Sequence, residues 1–331
     1  ESSQPFLRID CDNQPLCLDQ RENTYSATFI TGAKLWIHNS TRRLIVEFIN
    51  QDTEKTLYQT VVGEADNWAA CYFSYFVRWR IVARTSDGKI VYQHNYNCRN
   101  RKVRFSISST CLGDTLAWLP QVEAFRQKHK CKVICSSFWN NLFQKSYPHI
   151  KFINPDDTVS GLYAAYRLAW NYDEEGNVNQ LMHREDFKAQ PLAASAASIL
   201  GLGYQELRPV IKAPNSPRRY PNPYVCFSPH ASASAKYWHH PHGWQTVIDY
   251  LKQQLGYDVV MISKEPLSSK DQLCKLPGEK VLEGVIDATG DHPIEERITD
   301  LHYAELYIGV GSGLSWLAWA LNKPVVLVSG F

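Results

Sequence analysis

The chain has 331 residues, of which 44% are hydrophobic and 21% charged, with a formal net charge of +2. That length supports two or three compact domains, and the near-neutral balance argues against a bulk nucleic-acid binder. No apolar run approaches the roughly 20 residues of a membrane-inserted helix, no secretory signal opens the chain, and Glu1 in place of Met suggests a trimmed start.

The first third predicts strands. AKLWIHN, RRLIVEFIN, KTLYQTVV, CYFSYFVRWRIVART and KIVYQHN are rich in β-branched and aromatic residues and separated by turn signals. The pair Asp87-Gly88 tolerates positive φ and reads as a hairpin turn. No helical period of useful length precedes Cys111, so residues 1–101 are expected to form a β-rich domain, a barrel or sandwich.

The pattern then changes. Lys102–Ser108 predicts a strand, and Gly113–Lys130 predicts a helix whose Leu116, Leu119, Val122 and Phe125 share one face. KVICSS follows as strand, NNLFQKSY as short helix, IKFINP as strand, and the alanine-rich QPLAASAASILGLG as a helix ended by glycines. Such alternation implies a parallel sheet with crossover helices. Four prolines within Ala213–Tyr224 mark a linker.

A second α/β unit is expected after the linker. It runs YVCFSP (strand), GWQTVIDYLKQQLG (helix, with Trp244, Val247, Ile248, Leu251 and Leu255 on one face), YDVVMIS (strand) and SKDQLCKL (short helix). KVLEGVID (strand), IEERITDLHYA (helix), ELYIGV (strand), LSWLAWAL (helix) and PVVLVSG (strand) complete it. The expected architecture is α/β, with Rossmann-like domains at 102–222 and 223–331 behind the β-rich domain. Ligands are expected in a cleft between the two, beyond the carboxyl ends of the strands. Nine cysteines follow no repeated spacing, although Cys131 and Cys135 would share one strand face. An odd count without a signal predicts buried free thiols rather than a disulfide framework.

Three loops could carry chemistry. Gly311, Ser312 and Gly313 join an apolar strand to a helix, where free N–H groups and the positive end of the helix dipole suit a phosphate. A ligand-free strand-to-helix turn would use the same tripeptide. In SPHASASAKYWHHP (Ser228–Pro241), Lys236 could neutralise a phosphate as a point charge, or be an exposed loop lysine. His239, His240 and His242 have no carboxylate or cysteine at helical spacing to complete a ligand set, so no metal site is expected in this chain. In CLGDTLAW, Asp114 stands at the carboxyl end of the first strand of its unit, as a general base or as the helix N-cap.

Taken together and in this order, GDT at Gly113–Thr115, KYW at Lys236–Trp238 and GSGLSWLA at Gly311–Ala318 resemble the ADP-heptose glycosyltransferases, which have the two Rossmann domains of the GT-B fold. DATGDHPIEERITDLHYAELYIGVGSG also resembles that family's approach to its diphosphate loop. The lipopolysaccharide heptosyltransferases carry Asp-Thr-Gly-x-x-His where this chain has Gly311, Ser312, Gly313 and Trp316. That departure and the β-rich first third make the chain more similar to the bacterial autotransporter heptosyltransferases. Those are cytoplasmic enzymes that place heptose on serines of autotransporter adhesins, and the resemblance covers nearly the whole chain.

The resemblance implies inverting transfer of heptose from ADP-heptose, with Asp114 as base and the adhesin passenger domain as acceptor. Lys236 and the backbone of Ser312, Gly313 and Leu314 would stabilise the departing diphosphate. Gly113, Thr115, Ser228, Trp238, Gly311 and Ser315 would lie near the donor, the adenine near Met261 and Lys264, and Glu265 within reach of the ribose. No catalytic cofactor, nucleic acid or membrane insertion is implied. Iron is expected only in a cysteine-rich C-terminal segment of oligomeric relatives, beyond an end that is expected to be truncated. Transfer to lipopolysaccharide core, and a non-catalytic fragment that binds nucleotide sugar or adhesin, are the other readings. A dehydrogenase is disfavoured, because no Gly-x-Gly-x-x-Gly follows an early strand.

Overall fold

The computed structural model describes residues 24–38, 42–64, 67–240, 242–264 and 282–329. Cys11, Cys17, Cys274, Glu265 and the SKDQLCKL segment lie outside the described residues. Contacts divide the chain into two compact units, Glu1–Thr110 with Trp118–Leu207, and Cys111–Ala117 with Arg208–Phe331.

The first unit opens on the strands β1 (Thr24–Thr28), β2 (Ala33–His38), β3 (Leu44–Asn50), β4 (Lys55–Val62), β5 (Trp68–Cys71), β6 (Trp79–Thr85) and β7 (Ile90–Asn95). They form two antiparallel sheets, ordered β1-β2-β5 and β4-β3-β6-β7. Period-two burial of Leu44, Val46 and Phe48 fixes the inner face of β3. Gly88 turns the β6–β7 hairpin at φ +87°, as the Asp-Gly pair predicts. The long run CYFSYFVRWRIVART does not form one strand. Ser74 and Phe76 donate their N–H groups to Leu181 and Ile199 carbonyls, each at 2.7 Å, so residues 72–78 leave the ladder and pairing resumes at Trp79.

The chain continues through β8 (Lys102–Ile107), α1 (Leu112–His129), β9 (Lys132–Ser136), α2 (Asn140–Phe143), β10 (Lys151–Ile153), β11 (Leu162–Leu168) and α3 (Leu192–Ile199). The four strands make a parallel sheet ordered β10-β9-β8-β11. Leu116, Leu119, Val122 and Phe125 of α1 are all fully buried, as their spacing requires. Packing runs across residue 101. Phe29 donates to Tyr163 O at 2.9 Å and accepts from Ala165 N at 3.0 Å, and Phe76 lies edge-on to both Tyr96 and Phe125. The antiparallel sheets and the first parallel sheet therefore share one aromatic core.

The second unit contains β12 (Tyr224–Ser228), α4 (Gly243–Gln253), β13 (Asp258–Met261), β14 (Ile286–Asp287), α5 (Ile294–Tyr303), β15 (Tyr307–Gly309), α6 (Gly313–Ala320) and β16 (Val325–Leu327). Its parallel sheet is ordered β14-β13-β12-β15-β16. Every residue of the central β12 is buried, and Trp244, Ile248 and Leu251 seal α4 onto the sheet. Leu255 does not join them. The helix ends at Gln253, and Leu255 stands exposed before Gly256 turns the chain at φ +72°. Up to Pro223 the proline-rich linker carries no helix or strand, and it is anchored by the Arg219 side chain and the Ser216 backbone. Arg219 reaches Asp300 at 3.2 Å and Glu296 at 3.0 Å, and the Ser216 carbonyl accepts from the Tyr303 hydroxyl. Among the described residues, six cysteines are free thiols, five of them buried, and no helix is long and apolar enough to cross a membrane.

Candidate donor site

Strand order reverses between β12 and β15. β13 and β14 lie on one side of β12, while β15 and β16 lie on the other. In an open parallel sheet, such a reversal leaves a crevice at the carboxyl ends of the two strands, because the loops that follow them diverge. Here those ends are Ser228 and Gly309, directly paired, with Val310 N donating to Ser228 O at 3.2 Å. The strands approach so closely that a Cβ on Gly309 would collide with the Ser228 carbonyl oxygen. The loops leaving the crevice carry Lys236 on one side and Gly311–Gly313 on the other.

Ser312 takes an extended conformation as N-cap of α6. Its N–H donates to Ser315 Oγ at 3.1 Å, and that hydroxyl donates in turn to the Ser312 carbonyl at 2.7 Å. Ser315 is buried, so its side chain shapes the loop instead of facing a ligand. The amides of Gly313 and Leu314 belong to the first turn, whose N–H groups have no partner within the helix and point out of its end. That end faces a second helix start. A Cβ on Gly313 would sit 3.2 Å from Leu112 Cβ and 3.4 Å from Gly113 N, and a Cβ on Gly113 would sit 3.4 Å from Trp316 Cδ1. The first turns of α1 and α6 are thus held together by two glycines, with Asp114 on the next residue of α1.

Asp114 is not the N-cap. Helix α1 begins at Leu112, Cys111 O accepts from Thr115 N, and Asp114 falls at the third helical position, half-exposed. A carboxylate in a first turn is favoured by the helix dipole. Thr115 is fully buried, and its hydroxyl returns to Cys111 O at 3.3 Å.

Lys236 is half-buried and closes a short 3-10 turn by donating its N–H to Ala233 O. Its neighbours anchor it. Tyr237 is buried, and Trp238 packs edge-on to Trp244 and lies directly over Gly243, where a Cβ would meet the indole at 2.6 Å. Trp238 thereby works as a packing anchor for the lysine loop. Met261 has no exposed surface and sits within the hydrophobic core, so it supports the sheet from inside. Lys264, three residues past the end of β13, is exposed and pairs loosely with Asp291 at 3.8 Å. The Ser228 hydroxyl is buried and bonded to Ser263 Oγ at 3.0 Å. Gly311 is exposed, has an ordinary φ, and leaves open space where a Cβ would be.

Sequence reasoning missed two parts of this site. Tyr307 is fully buried behind the loop, its hydroxyl 3.4 Å from Ser312 Oγ, and burial pushes its pKa up to about 12. Arg297 is buried and donates to the carbonyls of Ala288 and Gly290, holding the loop after β14. Burial lowers its pKa, while Asp300 opposes that shift. For Arg297, the only signal in the sequence was a charge on the inner face of an amphipathic helix.

No group of three or more His, Cys, Asp or Glu among the described residues is placed to hold a metal ion. His240 stacks on Trp238 instead.

The family described as glycosyltransferase family 9 (heptosyltransferase) matches residues 157–330. The chain belongs to that family. The autotransporter heptosyltransferase TibC of Escherichia coli is 35% identical over 291 residues, covering 86% of this chain and 68% of TibC. The crystal structure of dodecameric iron-containing TibC in complex with ADP-D-β-D-heptose matches with a TM-score of 0.82 at 30% identity, covering 96% of this chain and 80% of that one. The inactive autotransporter heptosyltransferase BimC of Burkholderia thailandensis is 30% identical over 249 residues, covering 74% of this chain and 57% of BimC. Family membership makes this chain a glycosyltransferase with the GT-B-like α/β plan of parallel sheets.

Proposed function

We propose that this heptosyltransferase moves heptose from ADP-heptose to serine hydroxyls of an autotransporter adhesin, in the cytoplasm and with inversion at the anomeric carbon. The observation that supports the reading is the convergence of the α1 and α6 first turns, in which Gly113, the residue before Asp114, packs against Gly313. Both helix ends project positive potential toward a donor diphosphate. In the reaction, the serine Oγ forms a bond to the anomeric carbon as the bond from that carbon to the β-phosphate oxygen breaks. The serine proton passes to the Asp114 carboxylate, and ADP leaves with the bonding electron pair. Lys236 and the amides of Gly313 and Leu314 stabilise the charge that develops on the leaving diphosphate, whereas the Ser312 amide, expected to share that role, is taken by Ser315 Oγ.

A protein acceptor is supported by the likeness to TibC across 86% of the chain. It is supported further by the antiparallel sheets, whose edge strand β4 exposes Leu57, Tyr58 and Val61 as surface for a large substrate. Binding without transfer is a second reading, and the likeness to inactive BimC favours it.

The test uses the full-length protein with ADP-heptose and a purified adhesin passenger, read by mass spectrometry of the acceptor. Asp114→Asn is expected to keep ADP affinity and to lose transfer by about 100-fold or more. Transfer at the wild-type rate by that variant, or a product that keeps the donor's anomeric configuration, overturns the mechanism. Heptose appearing only on lipid-linked core moves the acceptor to lipopolysaccharide, and ADP binding without any transfer selects the second reading.

A further inference from the structure

We propose that Tyr307 is a positioning residue for the donor site, orienting the Ser312 hydroxyl through a buried chain of hydroxyls that spans the strand-order reversal. The inference rests on the reading that the Ser312 loop holds the donor diphosphate. The chain starts inside the second unit. Ser263 and Ser228 are each 1% exposed, with their hydroxyls 3.0 Å apart. Ser228 bonds next to the Tyr307 hydroxyl, which has no exposed surface and lies 3.4 Å from Ser312 Oγ. Ser312 is half-exposed, so the chain runs from the core to the mouth of the loop.

The geometry was made for a phenol. A Cβ on Gly309 would fall 2.7 Å from the Tyr307 hydroxyl, so the glycine leaves the room in which that oxygen sits. A phenylalanine would fill the same apolar volume, and the hydroxyl therefore does polar work. A phenol has one proton to donate and accepts in return, and with its pKa at about 12 it keeps that proton across the neutral range. The backbone of Ser312 is already fixed by Ser315. The Ser312 hydroxyl accepts from the Ser315 backbone N–H in a capping box, and Tyr307 is the buried side chain that reaches the same hydroxyl. The backbone carbonyl of Ser263 accepts from Gly290 N at 3.1 Å, which ties the loop held by Arg297 to the backbone that carries the first hydroxyl of the chain.

The experiment is a double-mutant cycle on the full-length protein, with ADP affinity measured by titration calorimetry and donor KM and kcat by the transfer assay. Tyr307→Phe is expected to weaken ADP binding and to raise donor KM about fivefold, the worth of one hydrogen bond, with kcat within about twofold. Because Tyr307 acts through Ser312, adding Tyr307→Phe to Ser312→Ala is expected to cost nothing further. If Tyr307→Phe binds ADP like the wild type, or if the two losses multiply, the positioning role is wrong. Should Tyr307→Phe not fold, Ser228→Ala removes the other partner of the phenol, and the same cycle with Ser312→Ala decides. Wild-type protein that does not bind ADP removes the donor-site reading, and the inference falls with it.

Discussion

Gly311 and Gly313 stand two residues apart and are glycines for different reasons. Gly313 is packed tightly, because a Cβ would press on Leu112 Cβ at 3.2 Å and α1 would have to give by a few tenths of an ångström. Gly313→Ala is therefore expected to lower the melting temperature, at a cost of about 1–3 kcal/mol, and to weaken ADP binding severalfold in the same titration. Gly311 has neither a positive φ nor a neighbour within reach of a Cβ. Gly311→Ala is expected to leave stability within about 0.5 kcal/mol, which makes it a probe of the ligand alone. A clear drop in melting temperature would show that Gly311 serves the fold. Asp114, Lys236 and the glycine loop were legible in the sequence because each has a short-range signature, a polar or glycine residue just past an apolar strand. Tyr307 was not, because within ELYIGV it reads as one more core residue. Its meaning depends on Ser228, which lies 79 positions away in the chain and beside it in the sheet. For Met261 and Trp238 the case is reversed. Their positions near the loops were readable, but the inward direction of their side chains was not.

At the scale of elements, local chemistry was most legible where it terminates a helix. α3 ends in a Schellman arrangement, with Leu202 N donating to Ala197 O at 2.9 Å and Gly201 N to Ser198 O at 3.2 Å. Gly201 sits at φ +63°, and a Cβ there would also overlap the Phe76 ring. The glycine thus serves the helix end and the aromatic core at once. Gly201→Ala is expected to destabilise the protein by about 2–4 kcal/mol, summing the left-handed backbone cost and the ring clash. A shift in the urea midpoint reads that loss, and a midpoint equal to wild type would contradict it. Strands were legible where alternation is strict, as in β3, and where β-branched residues cluster, as in β12 and β13. β11 escaped because LYAAYRL is rich in alanine and lacks β-branched residues, and its place is set by pairing with β8. β14 is short for a related reason. Among the described residues of KVLEGVID, Ile286 and Asp287 find partners on β13, and Gly284 turns the chain at φ +76° just before them.

At the scale of the whole molecule, acid should weigh most on the first unit, because in the second unit the lowered His302 is offset by the raised Asp300. His94, His129 and His183 all lie in the first unit, and burial lowers each from 6.5 to about 4. His129 lies between the Phe76 and Phe125 rings, and its Nε2 has no hydrogen-bond partner among the described residues. Between pH 6.5 and about 4 the unfolded chain takes up protons on these histidines that the folded chain refuses. The stability they permit is thus complete above pH 6.5 and is lost as pH falls through that window. Glu123, whose carboxyl is lowered by Arg126 and Gln127 against the opposing effect of burial, adds a loss of the same sign at still lower pH. In the second unit, Asp300 is fully buried and its pKa is raised by burial, with Arg219 and Arg297 opposing that shift. A raised carboxyl binds its proton more tightly in the folded state, so acid favours that unit at Asp300. On acidifying from pH 7 to pH 5, amide exchange is expected to rise first in α1, β8 and β11, while β12 and α5 keep their protection. His129→Phe fits the same aromatic surroundings without a titrating group, and it is expected to flatten the fall of the urea midpoint between those two pH values. Equal loss of protection in both units, or an unchanged acid slope in that variant, would show that the buried histidines do not set the acid limit of this fold.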